Sequence, residues 1–349
     1  MPPESPTDRF QEKTTPYLRE LAATSDAVRT MYFYDPEHED VPAQPDNDLF
    51  FEKRLTTAKG LVAKYPGRAL LLLSYTCAAN CRFCERQDRV GVGLDAEGRL
   101  STEEVRAAVD HLRTRPDIYE VIFSGGDPLM NTKGLRLATE LLGELDHVTM
   151  LRIHTRVPVQ APSRVDLDML ASIVDIPSTF YLSIHIDHPD ELTAESEAVI
   201  RQLRKTGFVL LCQSVFLRGV NDDVATLKRL YERLAALGVR PYYIYHCQPI
   251  PTTMRFVMDL ADEVAIMSQL REQVSGLAFP QHVLELQHTT GKVVAPTNHW
   301  DTDLTTVRDF VGATHDVRDR ALTVQPATDD DQFRSGVMEQ VVAPPRPRR

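Results

Sequence analysis

Residues 74–86 read Ser74-Tyr-Thr-Cys-Ala-Ala-Asn-Cys-Arg-Phe-Cys-Glu-Arg86 and contain three cysteines, Cys77, Cys81 and Cys84, in a C-x3-C-x2-C pattern. Three thiolates on one short loop can ligate three irons of a [4Fe-4S] cluster and leave the fourth iron open. An open iron can bind a small molecule and pass an electron to it. The spacing therefore favours a reactive iron–sulfur site, and this site directs the interpretation of the remaining chain.

Zinc and disulfides are the alternatives for these cysteines. A structural zinc ion usually takes four ligands in paired spacing, and the nearest histidine is His111, far along the chain. A disulfide framework is unusual in a long chain with five cysteines whose first residues do not resemble a signal peptide. Spacing alone places the iron–sulfur site ahead of zinc without excluding zinc.

Composition narrows the class of protein. The chain has 349 residues, of which 42% are hydrophobic, and a formal net charge of −11. This charge argues against a nucleic-acid backbone as the main partner. No apolar run approaches the length of a membrane helix, so we expect a soluble, cytoplasmic protein with reduced cysteines and no membrane partner.

From residue 69 onward, short apolar runs alternate with amphipathic stretches of helix length. Strands are predicted at 69–75, 120–124, 149–154, 180–185, 208–213 and 240–245, and helices at 102–114, 132–144, 165–174, 192–206, 223–237 and 259–274. Ser101 and Glu104 form a capping-box signature for the first helix. The alternation predicts parallel βαβ units with right-handed crossovers.

The position of the polar residues favours a barrel over an open, doubly wound sheet. Polar groups follow each predicted strand, and all such strand ends face one mouth in a barrel. We therefore predict an α/β fold, a partial (β/α)6 TIM-type barrel. Residues 1–60 form a helical N-terminal extension, 61–300 form the barrel and a C-terminal ligand-binding segment, and 301–349 form an irregular tail whose last part is disordered.

Several polar groups are candidates for ligand binding at this mouth. Two adjacent glycines, Gly125 and Gly126, let the backbone approach a ligand closely. Basic side chains that converge on a barrel mouth suggest an anionic ligand such as a phosphate or carboxylate. A lysine beside a glycine in a loop can also attach an aldehyde cofactor. The basic candidates are Lys64, Arg68, Arg86, Arg156 and Lys292.

The cysteine motif followed by Ser-Gly-Gly-Asp resembles the radical S-adenosylmethionine superfamily, and further segments resemble the lysine 2,3-aminomutase family. These segments, spread over about 60 to 300, are Tyr65-Pro-Gly-Arg-Ala-Leu-Leu-Leu-Leu73, Phe123-Ser-Gly-Gly-Asp-Pro-Leu129, Leu151-Arg-Ile-His-Thr-Arg-Val-Pro-Val159, Ile184-His-Ile-Asp-His-Pro-Asp-Glu-Leu-Thr193, Gln213-Ser-Val-Phe-Leu-Arg-Gly-Val-Asn-Asp222 and Arg240-Pro-Tyr-Tyr-Ile-Tyr245. Chance similarity does not explain so many segments in the same order.

The resemblance implies an isomerase. In this family the cluster cleaves S-adenosylmethionine to a 5′-deoxyadenosyl radical, which takes a hydrogen atom from an amino acid bound to pyridoxal phosphate. The amino group then moves from carbon 2 to carbon 3, giving a β-amino acid. The implied partners are a small-molecule substrate, which is an amino acid, and a reducing protein such as flavodoxin or ferredoxin. Relatives also suggest a homo-oligomer.

The resemblance also implies a role for individual residues. Cys77, Cys81 and Cys84 match the cluster ligands, and Lys292 matches the lysine that holds pyridoxal phosphate. Arg86 matches the arginine that binds the substrate carboxylate. The remaining assignments are Gly125, Gly126 and Asp127 at the methionyl amine of S-adenosylmethionine, His185 and Gln213 on the same wall, and Lys64, Arg68 and Arg156 at the phosphate, with Arg68 preferred.

The residues expected around the substrate side chain depart from the family pattern. Lysine-specific members place two aspartates there, whereas this chain has Gln248 and Glu285. These residues suit an ammonium, a guanidinium or an amide, so lysine, arginine or an amide-bearing amino acid is expected. An acidic substrate would need a cation, for which Arg255 is the candidate. Asp223 occupies the barrel position of a zinc ligand found in some members, and with Cys212 and Cys247 alone we predict no structural zinc.

Two other functions remain open. The same cofactors could serve a dehydrogenation, an epimerisation or an elimination, which the identity of the product would reveal. A non-catalytic iron–sulfur protein for electron transfer or sensing would have no use for Lys292 and would not cleave S-adenosylmethionine.

Overall fold

The computed structural model describes residues 10–39, 52–87, 89–90, 98–285, 292–299, 305–308, 312 and 314–316. Most of the predicted tail at 301–349, including the part predicted to be disordered, lies outside these residues. Within the described part, one large sheet and the helices around it form the main body.

The large sheet has ten strands, and each strand pairs with the next one along the chain. In order, these are β1 Thr56–Ala58, β2 Leu61–Tyr65, β3 Arg68–Ser74, β4 Glu120–Gly125, β5 Met150–Thr155, β6 Thr179–His185, β7 Val209–Val215, β8 Arg240–Tyr245, β9 Gln281–Glu285 and β10 Lys292–Val294. Strands β3 to β9 are parallel, and β1, β2 and β10 add antiparallel edges. A separate hairpin pairs β11 Thr306–Arg308 with β12 Thr314–Asp316.

Three helices precede the sheet, and the others lie between its parallel strands. The helices are α1 Pro16–Ala22, α2 Asp26–Tyr32, α3 Pro36–Glu39, α4 Thr102–Arg113, α5 Thr132–Leu142, α6 Val157–Gln160, α7 Leu167–Ile173, α8 Ala194–Leu203, α9 Val224–Leu237 and α10 Leu260–Gln273. The predicted capping box is present at α4, where Ser101 and Glu104 bond each other's backbone N–H groups at 3.2 and 2.8 Å. None of the helices in the described residues is long and apolar enough to cross a membrane.

The predicted partial barrel is confirmed, and the sheet has four strands, β1, β2, β9 and β10, beyond the six predicted. All six predicted strands are present within about two residues of their expected bounds. The seventh parallel strand, β9, was not predicted, because Gln281 and His282 interrupt the apolar pattern and leave too short a run to recognise. Since β1 and β10 do not pair with each other, the sheet stays open on one side.

The core lies between the sheet and its helices. Strand β3 is buried along most of its length, and Leu71 and Leu73 have no exposed surface. Helix α4 buries Val105, Val109 and Leu112 on one face, which matches the spacing of an amphipathic helix. A parallel sheet covered by helices in this way exposes polar groups mainly at its strand ends, where the loops begin.

The N-terminal helices pack on the cysteine loop, defined here as residues 75–87. Leu18, Val28 and Met31 of α1 and α2 share a hydrophobic cluster with Ala79 and Phe83 of this loop. The helical extension therefore supports the loop directly and is not an independent appendage.

Polar contacts also fasten the same extension to the loop. Asn80 N–H donates to the carbonyl oxygen of Lys13 at 2.8 Å, and Lys13 Nζ donates to the carbonyl oxygen of Cys77 at 2.6 Å. Arg82 is buried and donates through Nε to Glu39 at 2.7 Å. Removing one partner of a buried ion pair is strongly destabilising, so the Arg82–Glu39 pair in particular fastens the loop to the N-terminal extension.

Candidate active site

A cavity of about 400 Å3 opens at the carboxyl ends of the parallel strands. The cysteine loop forms part of its wall, and side chains from β2 to β9 form much of the rest. Every site residue predicted from the sequence lines it: Cys77, Cys81, Cys84, Gly125, Gly126, Asp127, His185, Gln213, Lys64, Arg68, Arg156, Lys292, Arg86, Gln248 and Glu285. The barrel thus brings together residues that are more than 200 positions apart in the chain.

The three loop cysteines fit a cluster better than a single ion. Cys77, Cys81 and Cys84 are partly buried and line the same cavity. No group of three His, Cys, Asp or Glu side chains in the described part of the chain is arranged to hold one metal ion. In a [4Fe-4S] cluster each cysteine binds a different iron, so three cysteines on a shared wall suit that group.

Burial disfavours the ionised form of these thiols. It raises the pKa of Cys81 to about 11 and that of Cys84 to about 12. Iron binding must therefore displace protons from the thiols, and the bound metal must supply the positive charge that stabilises the thiolates.

The Gly125-Gly126 turn packs directly on the cysteine loop. Gly126 N–H donates to the carbonyl oxygen of Ser74 at 2.6 Å, and Asp127 N–H donates to that of Thr76 at 2.9 Å. A Cβ atom at Gly125 would lie 2.1 Å from the Ser74 oxygen, and one at Gly126 would lie 2.6 Å from the Thr76 oxygen. Glycine is therefore needed here for backbone packing.

Asp127 is fixed by hydrogen bonds within the same region. Its carboxylate accepts from Thr155 Oγ1 at 2.9 Å, from Arg156 N–H at 2.8 Å and from Leu129 N–H at 3.0 Å. Burial raises the pKa of Asp127 to about 6, against the opposing effect of these donors. The carboxylate thus joins the ends of β4 and β5 behind the cysteine loop.

Gly126→Ala is expected to disturb the cysteine loop. The added methyl group meets backbone atoms of Thr76, which cannot rotate away, so the free energy of unfolding should fall by about 1–3 kcal/mol. The iron and sulfide content after reconstitution should fall with it. Urea unfolding and iron–sulfide analysis measure the two effects.

Gly219→Ala is the matched control, because this glycine has a φ of +75° but no atom within 4 Å of an added Cβ. It should cost backbone strain of about 1 kcal/mol and leave the iron content unchanged. Equal iron content in Gly126→Ala and the wild type would contradict the role of Gly126 in holding the loop.

Arg156 lies in a buried network behind the cysteine loop. Its guanidinium donates to Asp187 at 2.8 Å and to Glu191 at 2.6 Å, and it lies 5.3 Å from the ring centre of Tyr32 and 5.2 Å from that of Phe83. The sequence predicts a phosphate contact for this residue. The structure gives it two buried carboxylate partners, whereas Nε of Arg68 has no partner among the described residues, so Arg68 is the better candidate for an anion in the cavity.

His185 and Gln213 lie on neighbouring strands of the cavity wall. They are paired residues in the register of β6 and β7. His185 Nε2 lies 3.2 Å from Asp187 Oδ1, and the same oxygen accepts from Val215 N–H at 2.7 Å. The carboxylate of Asp187 therefore orients the His185 ring at the cavity surface.

Lys292 and Glu285 face each other across the hairpin of β9 and β10, where they are a directly paired set in the strand register. Lys292 Nζ lies 3.2 Å from Glu285 Oε2 and donates to Tyr245 Oη at 3.0 Å. Glu285 also pairs with Lys64 at 3.1 Å and accepts from Tyr65 at 3.3 Å. One carboxylate thus joins two lysines at one end of the cavity.

The two lysines differ in accessibility. The side chain of Lys292 is 31% exposed, whereas that of Lys64 is 3% exposed. Burial alone would lower the pKa of Lys292, but Tyr245 and Glu285 outweigh it and raise that pKa well above its usual value. Lys292 is therefore the more accessible of the two lysines, and its raised pKa keeps it protonated before any ligand binds.

The surroundings of Arg68 indicate whether an anionic cofactor could bind in this cavity. Its guanidinium stacks 4.2 Å from the ring centre of Tyr65. Its Nε is buried and has no hydrogen-bond partner within the described ranges. Buried donors normally have partners, so this one suits an acceptor supplied by a ligand. A phosphate near Arg68, with the aldehyde end toward Lys292, would fit this donor set.

Arg86 and Gln248 complete the predicted site. Arg86 donates to Glu52 at 2.8 Å and lies 3.5 Å from Glu85. Burial would lower its pKa, but Glu52 and Glu85 outweigh that effect and raise it. Gln248 donates through Nε2 to the carbonyl oxygen of Glu285 at 2.9 Å. These contacts hold both side chains in place at the cavity wall.

Two residues weighed from the sequence have other positions. Arg255 pairs with Asp35 at 3.0 Å and with Glu39 at 2.7 Å in the N-terminal extension and does not line the cavity. Its suggested role as a cation for an acidic substrate is therefore wrong. Asp223 is the N-cap of α9 and accepts from Thr226 N–H at 2.9 Å.

The sequence reasoning missed a histidine on the cavity wall. His246 lines the cavity, and its Nδ1 lies 3.0 Å from the carboxylate of Glu263, which is fully buried on α10. His282 Nε2 lies 2.9 Å from the same carboxylate. The three residues are distant in sequence and follow no common motif, so only the packing of α10 against β8 and β9 reveals them.

Comparison with known proteins identifies a protein family and several relatives of this chain. The family model of the radical SAM superfamily matches residues 71–230. The chain is 32% identical over 298 residues to the L-lysine 2,3-aminomutase of Acetoanaerobium sticklandii. The matched residues make up 85% of this chain and 66% of that protein. The identity is 31% over 302 residues with the enzyme of the same name from Fusobacterium nucleatum, covering 83% and 69%, and 33% over 247 residues with that from Buchnera aphidicola, covering 70% and 72%.

A solved structure adds a more distant likeness, to a radical SAM methyltransferase from Sphaerobacter thermophilus, with a TM-score of 0.47 and 17% identity over 66% of this chain and 69% of that one. The open barrel, the cysteine loop and the family match together define a radical SAM protein. Within that superfamily, the chain belongs to the lysine 2,3-aminomutase family. It spans about two thirds of the length of several of the curated relatives it matches. The superfamily implies a [4Fe-4S] cluster and S-adenosylmethionine.

Proposed function

We propose that the protein is a radical SAM, pyridoxal phosphate-dependent amino-acid 2,3-aminomutase, which moves the α-amino group to carbon 3. The observation that carries the proposal is that Lys292 and the three cysteines of the loop line one cavity of about 400 Å3. A non-catalytic electron carrier has no need for an accessible lysine in the same cavity as its cluster, whereas this reaction needs both.

The cysteine loop is the part that holds the iron. Cys77, Cys81 and Cys84 would bind a [4Fe-4S] cluster, which supplies the electron that cleaves S-adenosylmethionine. The Gly125-Gly126 turn and the N-terminal helices keep this loop against the barrel. A reducing protein such as flavodoxin or ferredoxin would deliver the electron, and the wall of the cavity would keep water from reactive species.

The part of the cavity around Lys292 and Arg68 is the part that would hold pyridoxal phosphate. Arg68 and Lys64 would bind the phosphate, and Lys292 would form the covalent attachment. When bound, this cofactor supplies a π system that accepts an unpaired electron. Tyr245 and Glu285 hold Lys292 in position until the amine is needed.

The substrate side chain is the least constrained part of the proposal. Arg86 would bind the α-carboxylate, as a guanidinium can do with two parallel hydrogen bonds. Gln248 and Glu285 would face the far end of the side chain, where an amide and a carboxylate suit a basic or amide-bearing group. Arg255 lies elsewhere, which argues against an acidic substrate.

Glu285→Gln is expected to shift the pH dependence of cofactor attachment. Attachment needs the neutral amine of Lys292, and Glu285 helps to raise the pKa of that amine. Without this negative charge the pKa of Lys292 falls, so the rate of attachment should rise at a lower pH than in the wild type. Borohydride trapping of pyridoxal phosphate over a range of pH measures the profile. An unmoved profile would contradict the coupling.

A screen of single amino acids tests the proposed function. The purified protein is reconstituted without oxygen and given pyridoxal phosphate, S-adenosylmethionine and a reductant. Lysine, arginine, glutamine, ornithine and glutamate are then supplied separately. We expect 5′-deoxyadenosine to form in a substrate-dependent way with a basic or amide-bearing amino acid. A response to glutamate alone would refute the substrate class, and a product of changed mass would refute the mutase.

A further inference from the structure

Gln160 is a buried side chain behind the cysteine loop, at the end of α6, and 1% of its surface is exposed. Its Nε2 lies 3.4 Å from Cys81 Sγ and 3.4 Å from the carbonyl oxygen of Ala79. A carbonyl oxygen only accepts hydrogen bonds, so the amide atom that faces it is the nitrogen. The same nitrogen therefore presents an N–H group to the sulfur of Cys81.

The backbone of Gln160 is fixed on both sides. Its N–H donates to the carbonyl oxygen of Arg156 at 2.9 Å, and its own carbonyl oxygen accepts from Thr15 Oγ1 at 2.6 Å. Its Oε1 is buried and has no partner among the residues that the structure describes. Two hydrogen bonds of the side chain end on the cysteine loop and a further one joins it to Tyr32 of α2, so the loop and this helix together set its orientation.

We propose that Gln160 raises the reduction potential of the cluster held by Cys81. Reduction adds negative charge that is spread over the cluster and its sulfur ligands. An N–H dipole directed at a ligand sulfur stabilises the more negative, reduced state, and such hydrogen bonds are one of the ways in which proteins set cluster potentials. The effect acts through Cys81, so Gln160 is a positioning residue and not a catalytic one.

The inference rests on the proposed iron–sulfur site but not on the aminomutase reaction. It concerns how readily the cluster accepts its electron, and it holds whatever amino acid is bound. The burial of Gln160 strengthens its effect on the reduction potential. The N–H dipole acts where the local dielectric constant is low and where water competes little.

Gln160→Met tests the inference, because methionine has a similar length and cannot donate a hydrogen bond. Gln160→Glu is the second variant and replaces the donor with an acceptor. Gln87→Met is the matched control: Gln87 is also buried and on the cysteine loop, but its Nε2 donates to the carbonyl oxygen of Arg82 at 3.4 Å. Midpoint potentials are measured by redox titration followed by electron paramagnetic resonance, without S-adenosylmethionine, on samples matched for iron and sulfide content.

We expect both Gln160 variants to have lower midpoint potentials than the wild type, with Gln87→Met unchanged. Equal potentials in the wild type and a fully loaded Gln160→Met or Gln160→Glu would overturn the inference and leave the proposed function standing. Loss of the cluster from both Gln160 variants, with Gln87→Met loaded, would also overturn it, because Gln160 would then serve loop structure. A wild-type protein that binds no cluster would overturn the proposed function as well.

Discussion

Lys292→Ala is expected to abolish covalent attachment of pyridoxal phosphate. Lys292 is the more exposed of the two lysines on Glu285, and its Nζ lies at the cavity wall between Glu285 and Tyr245. After borohydride reduction, the wild-type protein should gain the mass of the cofactor on the peptide that contains Lys292. The variant should gain no such mass. It should also form no β-amino acid, because migration of the amino group needs the π system of the cofactor to accept the unpaired electron.

Lys64→Ala is the control for this prediction. Lys64 meets the same carboxylate at 3.1 Å, but its side chain is 3% exposed. This variant should keep the covalent attachment on Lys292 while binding the cofactor more weakly, since a phosphate contact is lost. Attachment that survives Lys292→Ala and disappears in Lys64→Ala would reverse the two assignments.

Cys81→Ala is expected to remove reductive cleavage of S-adenosylmethionine. With two cysteines left on the loop, the cluster loses a ligand that no other thiol at the cavity can replace, because Cys212 and Cys247 are fully buried and do not line the cavity. Production of 5′-deoxyadenosine should drop to the background of protein-free mixtures. Chromatography of the nucleoside, alongside iron and sulfide analysis, measures the loss.

Cys212→Ala is the matched control for that variant. Cys212 is a buried cysteine on β7, and its thiol donates weakly to the carbonyl oxygens of Ile186, which follows β6, and of Gln213 on β7 itself. Its removal should lower the free energy of unfolding by about 1 kcal/mol and leave cluster content and cleavage intact. Normal 5′-deoxyadenosine formation in Cys81→Ala would remove the cysteine loop from the proposed chemistry.

Much of the fold could be predicted because the parallel strands have a strong local signal. Strand β3 is an almost unbroken run of leucines, and a strand buried on both faces needs such a run. Ser101 and Glu104 determine the start of α4 through contacts three residues apart. The first strands of the sheet, β1 and β2, and the seventh parallel strand, β9, are short and partly polar, so their pairing depends on partners that the local sequence does not show.

The candidate site was predictable where its residues are neighbours in sequence and less so elsewhere. The three cysteines and the Gly125-Gly126 turn are contiguous motifs. Arg156 has two carboxylate partners, Asp187 and Glu191, which lie more than 30 positions away in the chain. The sequence around Arg156 does not reveal these partners, and it therefore predicts a phosphate contact instead. Arg255 is near Gln248 in sequence, yet its side chain pairs with Asp35 and Glu39 of the N-terminal extension.

The central claim is that the amino group moves from carbon 2 to carbon 3 of an intact amino acid. The most direct measurement supplies the amino acid selected by the screen, labelled with 15N at its α-amino group and 13C at carbon 3, to the reconstituted protein. Nuclear magnetic resonance of the product should then show a one-bond coupling between 15N and carbon 3. The mass of the product should equal that of the labelled substrate, and the protein used is the wild type, in which Lys292 is present. A labelled nitrogen that stays on carbon 2, or a product without it, would contradict the aminomutase.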